Sequence, residues 1–110
     1  MENISDIITT WKELNHFTPL LPILEYKYSE ILEYISKSNN NKLKNSLGSF
    51  VSFSLEQSQY WSDLALIWIE NGFEITEDII EKLIKLSKNK YYSQNSRHRA
   101  LKIIKTNKSV

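Results

Sequence analysis

Apolar residues recur along this chain at spacings of three and four, and no stretch alternates apolar with polar residues over the length of a strand. That period places side chains on one face of an α-helix and on neither face of a strand. The 110 residues include only two glycines and two prolines, too few for the many tight turns of an all-β domain. The pattern predicts an all-α protein, a single helical domain spanning residues 1–110. Apolar residues make up 41% of it, enough for one packed core and little more.

Local signals divide the pattern into about six helices. Ile4, Ile7, Ile8, Trp11 and Leu14 mark the first, with Asn3 placed to cap it and its end near His16. Thr18-Pro19 reads as a cap followed by proline at the first helical position, where a missing N–H costs nothing. A second helix then carries Leu20, Leu21, Leu24, Tyr28, Ile31, Leu32 and Ile35 on its buried side and ends in the polar run 36–41. Leu43, Leu47, Phe50, Val51 and Leu55 mark a third, and Trp61, Leu64, Ala65 and Trp68 a fourth, with a break near Ser58. Asn71-Gly72 stops the fourth, because glycine takes the left-handed conformation that closes a helix. Thr76 caps a fifth, with Glu77 and Asp78 at its positive end and Ile75 and Ile80 spaced as a hydrophobic staple. Ser93 or Asn95 opens a sixth through Ala100, Leu101 and Ile104. Such helices pack as a compact antiparallel bundle or as a small stack. The fourth and fifth, joined by a short glycine turn, have the character of a HEAT- or armadillo-like helical hairpin. The expected core includes Leu64, Trp68, Leu83 and Leu101.

The absence of cysteine excludes a disulfide framework, a thiol nucleophile and cysteine-ligated metals. Residues 1–6 carry no basic segment leading into an apolar run, and no apolar stretch approaches the roughly 20 residues needed to cross a bilayer. A cytoplasmic protein without membrane contact is the expectation.

Catalytic groups are sparse. The two histidines, His16 and His98, fall in different helices. Glu13-Leu14-Asn15-His16 spells half of a di-iron helical-bundle signature, but Asn95, not a carboxylate, stands three residues before His98. No phosphate loop or nucleophile elbow is present. Neither a metal, a cofactor nor an enzymatic activity is expected.

Charge is the feature left to carry function. Residues 1–81 hold thirteen acids and five bases, whereas residues 82–110 hold nine bases and no acid, so a net charge of +1 conceals two opposed halves. Either half can steer a partner of opposite sign. Glu70, Glu74, Glu77, Asp78 and Glu81 cluster around the fourth helix end and the fifth helix start, near Tyr60 and Phe73 as exposed aromatics. Glu77 and Asp78 serve the helix start; Glu70 and Glu74 have no local task and are the leading candidates for docking a basic protein. The alternative surface is the last helix, where Arg97, His98, Arg99 and Lys102 follow Tyr91 and Tyr92, cations beside aromatics that suit phosphate and stacked bases. On that reading the chain is a small nucleic-acid-binding regulator.

The segment Tyr60-Trp61-Ser62-Asp63-Leu64-Ala65-Leu66-Ile67-Trp68-Ile69-Glu70-Asn71-Gly72, with the fifth helix and Ser93-Gln94-Asn95-Ser96-Arg97-His98-Arg99-Ala100 after it, resembles the small helical immunity proteins of bacterial polymorphic toxin systems. Those of contact-dependent growth inhibition are nearest in character. The likeness covers about the C-terminal half and supplies no motif that carries a functional residue over. It implies a cytoplasmic inhibitor that binds a cognate toxin domain, typically a basic nuclease and foremost an RNase, and occludes its active site. The basic final third departs from the uniformly acidic character of many nuclease inhibitors.

Far-ultraviolet circular dichroism tests the fold class directly. A strongly helical spectrum is expected, and a sheet content above about a fifth, the ordinary globular average, would overturn it.

Overall fold

Four of the helices begin where a side chain takes over a hydrogen bond of the first turn. Asn3 Oδ1 accepts from the Asp6 amide at 2.8 Å and opens α1 (Ile4–Leu14). Asn40 Oδ1 accepts from Leu43 at 3.0 Å and opens α3 (Asn41–Ser54). Thr76 Oγ1 accepts from Ile79 at 3.2 Å and opens α5 (Glu77–Lys88), with Glu77 and Asp78 in its first turn. Ser93 Oγ accepts from Ser96 at 3.1 Å and opens α6 (Gln94–Lys108). Ser58 precedes α4 (Gln59–Glu70), so the break foreseen there is real. The structure, a computed structural model, describes residues 3 to 108. Among these residues it is all helical, and no helix is long and apolar enough to cross a membrane.

The second predicted helix is two elements. Thr18–Glu25 winds as a 3-10 helix and Tyr28–Ser38 as α2, with Tyr26 and Lys27 extended between them (ψ 155° and 145°). Pro22, inside the first segment, has no N–H to donate to an i−4 carbonyl and crowds that carbonyl, so the tighter winding takes over. The break turns α2 relative to a continuous helix, and Leu32, assigned to the buried side by the unbroken period, is 45% exposed.

One apolar cluster draws on every element, from Ile7, Ile8 and Trp11 of α1 to Ala100, Ile103 and Ile104 of α6. α3 packs on α5 and α4 on α6, contacts between helices that are not chain neighbours. Contacts two elements apart occur in an antiparallel bundle and between neighbouring pairs of a stack alike, and the single shared core is that of a compact helical bundle. The expected hairpin of the fourth and fifth helices is not the main pairing. α5 packs most extensively on α6, because Ile79, Leu83 and Leu86 of α5 turn inward alongside Ala100, Ile103 and Ile104 of α6. Leu101, expected in the core, is 40% exposed, and Leu64 is half-buried; Leu14, past the last inward turn of α1, is exposed as well. In α6 the inward stripe is Ser96, Ala100, Ile103 and Ile104, and Leu101 falls just off it.

Trp68 sits at the centre. Its ring lies 5.4 Å from Tyr28, 6.4 Å from Phe50 and 6.2 Å from Phe73, and its Nε1–H donates to the Tyr26 carbonyl at 3.1 Å. The indole thereby fills the core and holds the junction between the 3-10 helix and α2. Trp68→Ala is expected to cost about 3–5 kcal/mol. Chemical denaturation checks this, and an unchanged midpoint would place the side chain outside the core.

Candidate functional site

The end of α4 decides how its neighbours are exposed. Gly72, at φ 105°, donates to Ile69 O at 3.1 Å, and Phe73 donates to Trp68 O at 3.1 Å. This pair of bonds is the Schellman closure, in which the residue after the left-handed glycine folds back onto the last turn. Phe73 consequently packs against Trp68 and Tyr28 and is 7% exposed, so it is a core residue and not the exposed aromatic expected from sequence. An apolar residue directly after Asn-Gly was the available signal.

The acidic residues divide in the same way. Glu70, the last residue of α4, is forked by Arg99: Nε donates to Oε2 at 3.0 Å and Nη2 to Oε1 at 2.7 Å. Glu70 therefore has a structural task, contrary to the expectation, and the Arg99 guanidinium is held charged by that carboxylate. Glu74 is exposed and makes no ion pair among the described residues. Glu77, Asp78 and Glu81 are exposed along the start of α5. Tyr60 is exposed but stands about 15 Å along α4 from Glu70, at ten residues' remove, and its hydroxyl donates to Glu25 Oε2 at 2.5 Å. The acids and the two aromatics do not form one face.

The basic set is likewise partly committed to the fold. Arg97 Nε donates to Tyr92 O at 3.2 Å. Tyr92 is buried, its hydroxyl donating to Gln57 O at 2.7 Å, and burial pushes its phenol pKa up. Tyr91, His98 and Lys102 remain on the surface, with the Tyr91 ring edge-on to Tyr92. His16 is exposed beyond the end of α1, far in sequence from His98.

Beside the Arg99 fork lies a polar network that sequence reasoning missed. Ser96, fully buried on α6, donates to Asp63 Oδ1 and accepts from Gln59 Nε2, both at 2.5 Å. Gln59 Nε2 also donates to Asp63 Oδ2 at 2.7 Å, while Gln59 Oε1 accepts from the Ser93 amide at 2.8 Å. A serine in register with the apolar stripe of α6 was the signal, since a buried hydroxyl implies partners. The network fastens α6 to α4.

A further apolar surface lies along the adjoining stripe of α4. Two hollows, of about 460 and about 790 Å³, meet at Tyr28 and Leu32 and together make a trough over α2. Leu47, Gly48, Phe73 and Glu74 line the first; Leu64, Ile67, Trp68 and Glu25 line the second. Ile67 is 43% exposed and sits with Tyr60 and Leu64 on one stripe of α4, at spacings of four and three. Lys44 and Lys27 lie at the walls as well. Of the expected site residues only Glu74 and Phe73 line this trough.

No family model matches the chain, and no curated protein or solved structure matches it.

The buried network makes a clear prediction. Ser96→Ala leaves the Asp63 carboxylate short of a donor and should cost about 1–3 kcal/mol. A thermal melt is expected to drop by about 4 °C or more, and an unaltered melting temperature would show that the Ser96 network adds nothing to the hold of α6.

Proposed function

We propose that the chain is a binding protein of immunity type, which neutralises a basic toxin domain, foremost an RNase, by seating part of it in the trough over α2 and covering its active surface. The observation that carries this reading is the coincidence, in one trough, of exposed apolar side chains and a carboxylate without an ion pair among the described residues. Leu32 and Ile67 are the exposed apolar residues, and Glu74 is the carboxylate. Stable interfaces combine an apolar centre with a polar rim, and charge at the rim speeds the encounter with an oppositely charged partner. Every residue lining the trough falls between positions 24 and 76, within the acidic part of the chain. In the lining itself Glu25 and Glu74 are matched by Lys27 and Lys44, and Glu25 already accepts from the Tyr60 hydroxyl, so the draw on a basic partner rests on Glu74.

The nucleic-acid alternative draws less support. Arg99 and Arg97 spend donors inside the fold, and Tyr92 is buried with its hydroxyl bonded to backbone. Arg99 in particular cannot turn to a phosphate without abandoning Glu70.

Two substitutions on the surface of the trough test the reading. Leu32→Arg and Ile67→Arg, singly, add bulk and positive charge where the partner would rest, and both side chains are exposed, so each variant is expected to stay folded, which its melting temperature checks. With cross-linking in the native cytosol, wild-type chain is expected to retain one stoichiometric basic protein, neutralise its toxicity in cells, and lose both properties in either variant. Recovery that disappears on nuclease treatment, together with loss of binding in Arg97→Ala, would overturn the proposal in favour of nucleic acid.

A further inference from the structure

The hollow of about 460 Å³ contains a residue whose identity the fold does not demand. Gly48 lies in the interior of α3, where glycine weakens a helix relative to alanine. Its φ is not positive, and a Cβ built there meets only Thr76 Cγ2, at 4.0 Å, an ordinary contact. Neither backbone strain nor close packing calls for glycine. What the missing side chain does is keep the hollow open beneath Leu32 and Phe73.

The chemistry of the walls is specific. Leu32, Ile35, Leu47 and Phe73 offer apolar contact, suited to an aliphatic stem. Glu74, exposed in the lining, presents a carboxylate with no ion pair among the described residues, and Tyr28 adds a half-buried ring. Burial foremost, and the Glu74 charge next, push the Tyr28 phenol pKa up, so the hydroxyl stays neutral and the carboxylate acts close to the ring. A planar guanidinium can fork onto a carboxylate and stack on an aromatic face at once, and an ammonium cannot. Lys44 on the α3 wall opposes any cation and weakens the site without closing it.

We infer that the Gly48-floored hollow receives an arginine side chain of the partner, with its stem on Leu32 and Phe73 and its guanidinium on Glu74 and Tyr28. This deepens the reading of the chain as an inhibitor of a basic protein, and it rests on that reading for the source of the arginine.

The probe is N-acetyl-arginine amide, followed by 1H–15N chemical shifts of the whole chain, with N-acetyl-citrulline amide as the neutral isostere and N-acetyl-lysine amide as the unforked cation. Saturable shifts are expected at Gly48, Glu74 and Tyr28 with arginine, and weaker binding by about tenfold with either comparator, the worth of one charge-assisted hydrogen bond. Glu74→Gln should weaken arginine binding to a similar degree, Lys44→Ala should strengthen it, and Gly48→Leu should abolish it while the melting temperature holds or rises. Equal shifts from citrulline or lysine, or none at these residues, would overturn the assignment. A basic partner that is lost in Ile67→Arg yet bound normally by Glu74→Gln and Gly48→Leu would sink the arginine pocket and leave the wider function standing.

Discussion

The contact between the Trp68 indole and the Tyr26 carbonyl joins the two parts of the molecule that sequence alone leaves unconnected. Pro22 winds residues 18–25 too tightly to continue as an α-helix, and the chain runs extended through Tyr26 and Lys27 before α2 begins. An extended, partly buried residue needs a donor for its carbonyl, and the centre of α4 supplies one. Around that bond gather Tyr28, Phe50 and Phe73, so one side chain positions the 3-10 helix, α2, α3 and the loop after α4. The trough follows from this arrangement: Tyr28 and Leu32 stand over Trp68 and Phe73 because α2 starts where the indole anchors it.

Along the adjoining stripe of α4 the fold is held by polar groups. The acidic body and the basic last third, opposed in charge, meet where Arg99 forks onto Glu70 and Ser96 donates to Asp63. A second cross-link between the halves is the 2.9 Å pair of Lys82 with Glu56. Part of the charge asymmetry thus serves folding, since each half carries the counter-ions of the other. Of the acids left without an ion pair among the described residues, Glu74 lines the trough. Arg99, which looks from sequence like a phosphate ligand, and Glu70, which looks like a docking acid, are partners of each other, 29 residues apart along the chain.

How legible the candidate site was depends on the range of the interactions that build it. Glu74 was identifiable because no local role explained it, and the structure leaves it without an ion pair. Leu32 and Ile67 were not, because an apolar residue on a helical period looks the same whether a neighbouring helix covers it or stops short. Gly48 carried a faint signal, a glycine amid a good helix, whose meaning appears only once the space above it is seen. Phe73 was misplaced for want of one inference, that the glycine stopping α4 also folds the next residue inward.

Apart from the break at Tyr26–Lys27, the sequence by itself determined where the helices lie, and at four of them their first turn. Asn3, Asn40, Thr76 and Ser93 each cap a helix through an amide three residues on, and Gly72 closes α4 through the carbonyls of its last turn. Such bonds span so few residues that local chemistry settles them wherever the helix comes to lie. Only the tertiary structure decided which side chains on each stripe are covered, that α5 pairs chiefly with α6, which charges neutralise one another, and that α2 and α4 leave a trough between them. These outcomes turn on the angle at which the chain leaves the Tyr26–Lys27 break and on packing between residues far apart in sequence, and no period or cap within one helix encodes either.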